Sequence, residues 1–207
     1  MPNPAAPPGE DHRRLPRRRG RVLDAAILEA TIAEIDETGY ANLSIERVAE
    51  RARASKASLY RRWPSKVELV VAALYEVLPD PAATADTGSL RGDLLNLFRT
   101  SAELFVGPAA TAIRGLLSDA LRDPELAARF RAYTRGNSVR GMREVVRRAG
   151  QRGELVAESI SPRQLEAGLA LMRFHFLTHD GPVPDEVIVG IVDEVVLPLF
   201  RAASLRT

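Results

Sequence analysis

The sequence predicts an all-α protein: a three-helix N-terminal unit built on a helix-turn-helix, followed by a larger C-terminal helical bundle. Three observations lead there. Apolar residues recur at spacings of three and four along most of the chain, and no stretch shows clean period-two alternation. Helix-opening signals recur, among them Ser44, Ser55, Ser65-Lys66-Val67-Glu68 and Ser161-Pro162-Arg163-Gln164. Two short helical stretches are separated by only Ala52-Arg53-Ala54.

The first twenty residues hold four prolines in their first eight positions and no apolar periodicity, so 1–20 reads as a flexible basic arm. Its arginines suit a disordered tail and a minor-groove arm equally well. From Arg21 the texture turns helical: Val22, Ala26, Ala30 and Ala33 share a face beside Leu23 and Ile27, and Gly39 is placed to end the helix. Ser44 can cap a second helix with Ile45, Val48, Ala49 and Ala52 at i, i+3, i+4, i+7. Ser55 can cap a third that turns Leu59 and Trp63 inward and breaks at Pro64. A fourth is expected from Ser65 to about Leu78. After the loop PDPAATADTG, helices are expected near 89–106, 109–121, 124–149, 162–178 and 184–203, with Asp123-Pro124 opening the third of these. The domains expected are the arm, 1–20, a helix-turn-helix unit over 21–67 and a bundle over 68–207.

Composition narrows the function. The absence of cysteine excludes disulfides and thiolate metal sites and points to the cytoplasm. No apolar run approaches a membrane span, and no secretory signal is evident. Net charge is only +2, yet residues 1–70 hold 13 Lys or Arg against 10 Asp or Glu, while the remainder holds 16 against 17. Arg51, Arg53, Lys56, Arg61, Arg62 and Lys66 form a local cluster. A concentrated patch on a near-neutral chain suggests a dedicated anionic partner. A helix-turn-helix lays its second helix in the major groove of duplex DNA. With Leu59 inside, steps of about 100° per residue put Ala57 and Arg61 nearly opposite, and Ser58 and Tyr60 on the flanks. Ala57 and Ser58 are small enough for close approach; Arg61 suits a guanine, the Ala57 methyl a thymine methyl, and Lys56 near the helix start a phosphate.

The segment LSIERVAERARASKASLYRRWPSKVELV closely resembles the DNA-binding signature of the tetracycline-repressor (TetR) family of bacterial regulators, over about residues 21–75. The resemblance implies phosphate contacts at Ser44, Tyr60 and Lys66, base reading at Lys56, Ala57, Ser58 and Arg61, and a buried aromatic at Trp63. Ser55, as the cap of the reading helix, joins the DNA-contact set. Where that family usually has Gly in the turn this chain has Arg53; a positive φ there carries a cost of about 1 kcal/mol, and Arg53 can add a phosphate contact.

The last two predicted helices cannot hide their apolar residues against one neighbour each. DEVIVGIVDEVVLPLFRA is apolar on almost every side, and SPRQLEAGLALMRFHFLTH carries Leu165, Leu169, Met172 and Phe176 on one stripe with Leu171 and His175 beside it. Burial against a second copy is expected. RGLLSDALRDPELAARF, GQRGELV and LTHDGPVPDEVIVGIVDEVV resemble the ligand-binding and dimerising half of a subgroup of the same family. That implies a homodimer through the last two helices, two recognition helices about 34–36 Å apart, a near-palindromic operator, and an effector pocket under the fourth helix. Tyr75, Phe98, Phe105, Ile113, Leu117, Phe130, Tyr133, Phe174 and His175 are candidate lining residues for a largely apolar effector; each also suits plain core. Arg114, Asp119, Asn137 and Arg173 are candidate polar anchors.

No cofactor, catalytic group or metal is expected. His175 and His179 stand four apart with Asp180 following, but no third ligand is evident. Gly136-Asn137-Ser138 starts like a nucleophile elbow, but Arg140 replaces the second glycine. A helical enzyme is the weak alternative, and a ligand-independent architectural DNA binder is the second. The reading is a sequence-specific transcriptional regulator, a repressor released by its effector.

Overall fold

Most helices begin where a capping side chain is available, in a structure (a computed structural model) that describes residues 20–77, 85–128 and 139–205. Helix α1 is Arg21–Thr38, and Gly39 ends it at φ 76°, its N–H donating to Ile35 O at 2.8 Å. Its buried face is Ile27, Leu28, Ala30, Thr31, Glu34 and Ile35; of the expected stripe Ala30, with Ile27 beside it, is buried, Ala26 and Ala33 are half-buried, and Val22 is 63% exposed. With so many alanines the spacing alone does not single out a stripe, and the packing partners choose the face.

Helix α2 is Ile45–Arg51, capped by the Ser44 side chain, and α3 is Lys56–Arg62, capped by Ser55. Both halves of the capping box at α4, Lys66–Val77, are made: Glu68 N donates to Ser65 Oγ at 3.2 Å and Ser65 N to Glu68 Oε2 at 3.0 Å. The expected end at Leu78 lies outside the described residues. Helix α5, Leu90–Ala102, continues as one tighter turn, Glu103–Phe105. The chain then bends by 78° into α6, Gly107–Arg122, through Gly107 at φ 59°. Asp123 caps a further helical segment at 124–128, its Oδ1 accepting from Glu125 N and Leu126 N.

One helix was expected over 124–149. Residues 129–138 lie outside the described set, Gly136-Asn137-Ser138 among them; Val139 is in a turn, and α7 is Arg140–Gln151. Helix α8 is Pro162–Thr178, opened by a complete capping box at Ser161 and Gln164. The last helix, α9, runs through Asp185–Gly190, a wider π-helical stretch Ile191–Val196, and Leu197–Ser204. Pro198 lacks the N–H that would bond Glu194 O, and the helix widens just before it.

Two cores result. One gathers α1 to α4 around Ile27, Ile35, Val48, Leu59, Leu69 and Val70, with Ala112 and Leu116 of α6 completing it. The other joins α5, α7, α8 and α9 around Phe98, Met142, Met172, Phe176 and Phe200. Helix α8 comes in close because Gly168 has no side chain; a Cβ there would lie 2.5 Å from the Phe98 ring and 2.6 Å from Val196. Helix α6 belongs to both cores, and its Ile113 packs against each. Bidentate pairs, Arg91 with Asp193 and Arg99 with Asp185, clamp α5 to α9. No single helix among the described residues is long and apolar enough to cross a membrane.

Candidate nucleic-acid interface

The link between α2 and α3 is a tight turn held by its own backbone: Arg53 N donates to Glu50 O at 3.0 Å and Ala54 N to Ala49 O at 2.8 Å. Arg53 sits at φ 53°, the one non-glycine with positive φ among the described residues. An L-residue bears about 1 kcal/mol in that conformation. The turn thus keeps the backbone that glycine would supply and hangs an exposed guanidinium on it.

Helix α3 turns Leu59 fully inward at 1% exposure, half-buries Trp63, and presents Ala57, Tyr60 and Arg61 on its outer side. Tyr60 is 49% exposed, a large aromatic facing solvent beside two small or cationic neighbours. Ser58 departs from expectation. It is buried at 9% exposure, and its Oγ accepts from Arg62 Nη1 at 2.7 Å. A flank position on a seven-residue helix rolls toward the core when Leu59 and Trp63 both anchor the same side. Ser58 therefore does not face a base in this conformation; it packs.

The basic cluster also reads differently in three dimensions. Arg51 and Arg47 lie against Glu34 and Glu37 of α1, with Arg51 Nη2 to Glu37 Oε2 at 2.6 Å and Arg47 Nε to Glu34 Oε1 at 3.0 Å. Arg62 pairs with Asp24, and Lys56 with Glu46. Within the predicted cluster, Arg53, Arg61 and Lys66 form no ion pair among the described residues, and Lys66 is spent on the Ala41 carbonyl and the Tyr40 ring. Sequence counting missed this because the partners come from α1 and α2. The spare positive charge is therefore smaller than the cluster suggests, and it sits at the turn and on the outer face of α3.

Lys66, at the start of α4, is half-buried. Its Nζ donates to Ala41 O at 3.3 Å and rests 4.4 Å above the Tyr40 ring. Burial lowers its pKa, with Asp119 pulling the other way. Tyr40 is itself 5% exposed, and its hydroxyl donates to Asp119 Oδ2 on α6 at 2.8 Å. Burial, and then the Asp119 carboxylate, raise its pKa. The ring lies on Gly115 of α6, where a Cβ would fall 2.1 Å from it. Tyr40 thus keys the N-terminal unit to α6 and carries the Lys66 ammonium on its ring. No sequence signal singled it out.

The candidate effector residues separate into five groups. Phe98 and Phe105 are buried, and Phe105 stacks on Phe176 at 4.5 Å between centroids. Tyr75, Ile113 and Leu117 are half-buried around α4 and α6. Phe130, Tyr133 and Asn137 lie outside the described residues. Phe174 is 64% exposed and does not line the bundle interior; it forms an outward apolar strip on α8 with Leu171 and Leu177. The period of α8 places it there, because Leu165, Met172 and Phe176 take the core side. His175 is half-buried and stacks on His179 at 4.1 Å. Two of the expected anchors hold structure: Arg114 donates to Phe176 O at 3.0 Å and lies over the Phe176 ring, and Asp119 accepts from Tyr40. Arg173 is exposed. A groove of about 770 Å³ opens elsewhere, between α7, the 157–159 turn and the start of α8, lined by Val146, Leu155, Ile160 and Leu165 with Arg143 and Arg147. None of the expected lining residues that are described borders it. No group of three or more metal-ligating side chains occurs among the described residues.

Comparisons with known proteins agree with this architecture. The profile described as bacterial regulatory proteins, tetR family, matches residues 27–73, and the tetracyclin repressor-like C-terminal domain matches 84–195. The HTH-type transcriptional regulator Mb1581 of Mycobacterium bovis is 34% identical over 184 residues, 87% of this chain and 89% of that protein. The DNA-binding transcriptional repressor TetR of Mycobacteroides abscessus is 32% identical over 191 residues, 90% and 98% of the two chains. Among solved structures, the TetR family transcription regulator SCO0332 aligns with a TM-score of 0.67 at 27% identity, covering 84% of this chain and 96% of its own. These relatives are transcriptional regulators and not enzymes. With both halves matched in order and the helix-turn-helix in place, the chain belongs to the TetR family of DNA-binding bacterial transcriptional regulators.

Proposed function

We propose that the protein is a repressor that acts in the cytoplasm as a two-fold homodimer, binds a near-palindromic operator, and is released by a small, largely apolar effector. The observation that carries the DNA half of this reading is the outer side of α3, where Ala57, Tyr60 and Arg61 stand exposed opposite buried Leu59. Ala57 lets the helix sink into the major groove and Arg61 reads a base edge. Ser44, Arg53, Ser55, Lys56, Tyr60 and Lys66 surround that helix as contacts that set its position on the backbone. Residues 21–67 form the DNA-binding unit and 68–207 the effector-binding and dimerising one, with α4 and α6 as the connectors. Repression is favoured by the name of the Mycobacteroides abscessus relative.

The dimer is favoured by Leu171, Phe174 and Leu177, which α8 leaves facing outward. Release by an effector fits the joint at Tyr40. A ligand that shifts α6 or α4 moves Asp119 or Lys66, and both bear on Tyr40. The shift requires an effector with different affinities for the two conformations.

Selection of binding sites from random duplex at a stated salt concentration tests the reading. A single near-palindromic motif, preferred by several orders of magnitude, is expected; binding without preference would instead make the protein an architectural DNA binder. Arg61→Ala should relax discrimination at one base pair, by about 1 to 3 kcal/mol, and equal losses on all sequences would remove Arg61 from the reading set. Apolar compounds screened against the selected complex should release it; one that binds tightly and leaves operator affinity unchanged would count against induction.

A further inference from the structure

Glu46 sits between two of the DNA-facing donors. Ser44 ends the link after α1 and Lys56 opens α3, yet both side chains reach this one carboxylate. Lys56 Nζ is ion-paired with Oε1, and Ser44 Oγ donates to Oε2 at 3.1 Å. The bond from Lys56, then its own backbone N–H and Ser44, hold the Glu46 carboxyl below its ordinary pKa, so it is ionised at neutral pH. The side chain is half in water, which leaves it free to swing away. An ionised carboxylate with one oxygen on each donor presents the acceptor pattern that a DNA phosphate offers with its two non-bridging oxygens.

We propose that Glu46 is an internal stand-in for a backbone phosphate: it occupies Lys56 and Ser44 in the free protein and must be displaced before a DNA phosphate can take them. This rests on the reading that α3 faces duplex DNA. Glu46 is then an affinity-setting residue, which weakens binding to duplex of any sequence and leaves recognition to Arg61 and Ala57. Until it swings out, Lys56 contributes no net charge to the interface. Its release on binding frees a carboxylate close to DNA, which offsets part of the gain from the new phosphate contact.

The test is Glu46→Gln, which keeps the shape and an acceptor for Ser44 but removes the charge. Binding to a mixed-sequence duplex of about 30 base pairs, long enough for two half-sites one helical turn apart, is measured between about 50 and 200 mM salt. The variant should bind roughly fivefold tighter at the low-salt end. Its plot of log affinity against log salt should steepen by up to about 1, because no freed carboxylate then offsets the Lys56 charge beside the phosphates. In a Lys56→Ala background the gain should vanish. Unchanged affinity and slope for Glu46→Gln would overturn the proposal, and so would a gain that survives in full without Lys56. Glu46→Ala, expected to show the same gain, guards against an effect peculiar to glutamine. Arg61→Ala separates this failure from that of the underlying reading. If Arg61→Ala leaves binding to the selected operator untouched, α3 is not in the groove; if it weakens binding while Glu46→Gln is silent, the phosphate stand-in alone is wrong.

Discussion

Among the described residues each half of the molecule buries one carboxylate, and the two are satisfied in different ways. In the N-terminal unit Glu34 is fully buried, and it is neutralised by Arg47 at 3.0 Å and Arg51 at 3.6 Å without a well-aligned hydrogen bond to either oxygen. In the C-terminal half Asp93 is 1% exposed and accepts from Thr87 N at 2.7 Å, Thr87 Oγ1 at 2.7 Å and Arg152 Nη2 at 2.8 Å. The first is held by charge, the second by charge and a hydrogen-bonded cage. The difference shows what the cations of the N-terminal unit are for. Arg51 looks like part of a DNA-binding patch in the sequence, but together with Arg47 it ties α2 to α1. The surfaces differ in the same sense: one half exposes a small, selective set of polar groups on α3, the other an apolar strip on α8.

Removing the charges that neutralise Glu34 is the harshest way to break this comparison. Arg47→Ala with Arg51→Ala leaves a buried carboxylate unpaired and should cost about 3 to 5 kcal/mol in urea unfolding. A loss below about 1 kcal/mol would mean that water or a proton satisfies Glu34 as well as the arginines do. The apolar strip gives the next effect. Phe174→Asp should shift the protein to monomer in light scattering, with a loss of about 2 to 4 kcal/mol in dimerisation and no loss of helix, since the side chain already faces out. A dimer that persists undiminished would place the interface elsewhere.

Arg152→Ala should be milder, about 2 kcal/mol, because Thr87 still donates twice to Asp93. It also carries a pH signature. Burial pushes the Asp93 pKa up, but the Thr87 bonds and Arg152 outweigh it and leave it below the ordinary value. Glu144, bonded by Arg147 and Arg148, is pushed down to about 2. A carboxyl with a depressed folded-state pKa stabilises the fold above its unfolded pKa and loses that contribution as pH falls through the folded value. Stability should therefore fall below about pH 4. Arg152→Ala should flatten the part of that fall due to Asp93, as read from urea midpoints against pH. The smallest effect sharpens the turn: Arg53→Gly should stabilise by about 1 kcal/mol while slightly weakening binding to all DNA, which separates backbone strain from the phosphate contact proposed for the side chain.

Local signals were the legible part of the fold. Ser44, Ser55, Ser65 and Ser161 each start a helix where a short-range rule places it, because a cap is a contact between residues two or three apart. The inward side of α3 follows from Leu59 and Trp63 for the same reason. The buried stripe of α1 was legible only in Ala30 and Ile27, since alanine fits either face, and the roll of Ser58 into the core was not legible. The candidate site behaved alike: the outward placement of Arg61 and Ala57 follows from helical phase, whereas Glu46, Tyr40 and Asp119 carry no motif and matter through what they touch.

By itself, the sequence determined that the chain is helical, where most of its helices start, and that Ala57 and Arg61 lie on the side of the third helix opposite Leu59. Tertiary structure alone decided which arginines are spoken for, that Tyr40 joins the two cores through Gly115 and Asp119, and that Phe174 looks outward rather than into the bundle. The physical reason is range. Caps and helical phase act over a few residues of chain, but an ion pair or a covered ring depends on which distant helix arrives beside it.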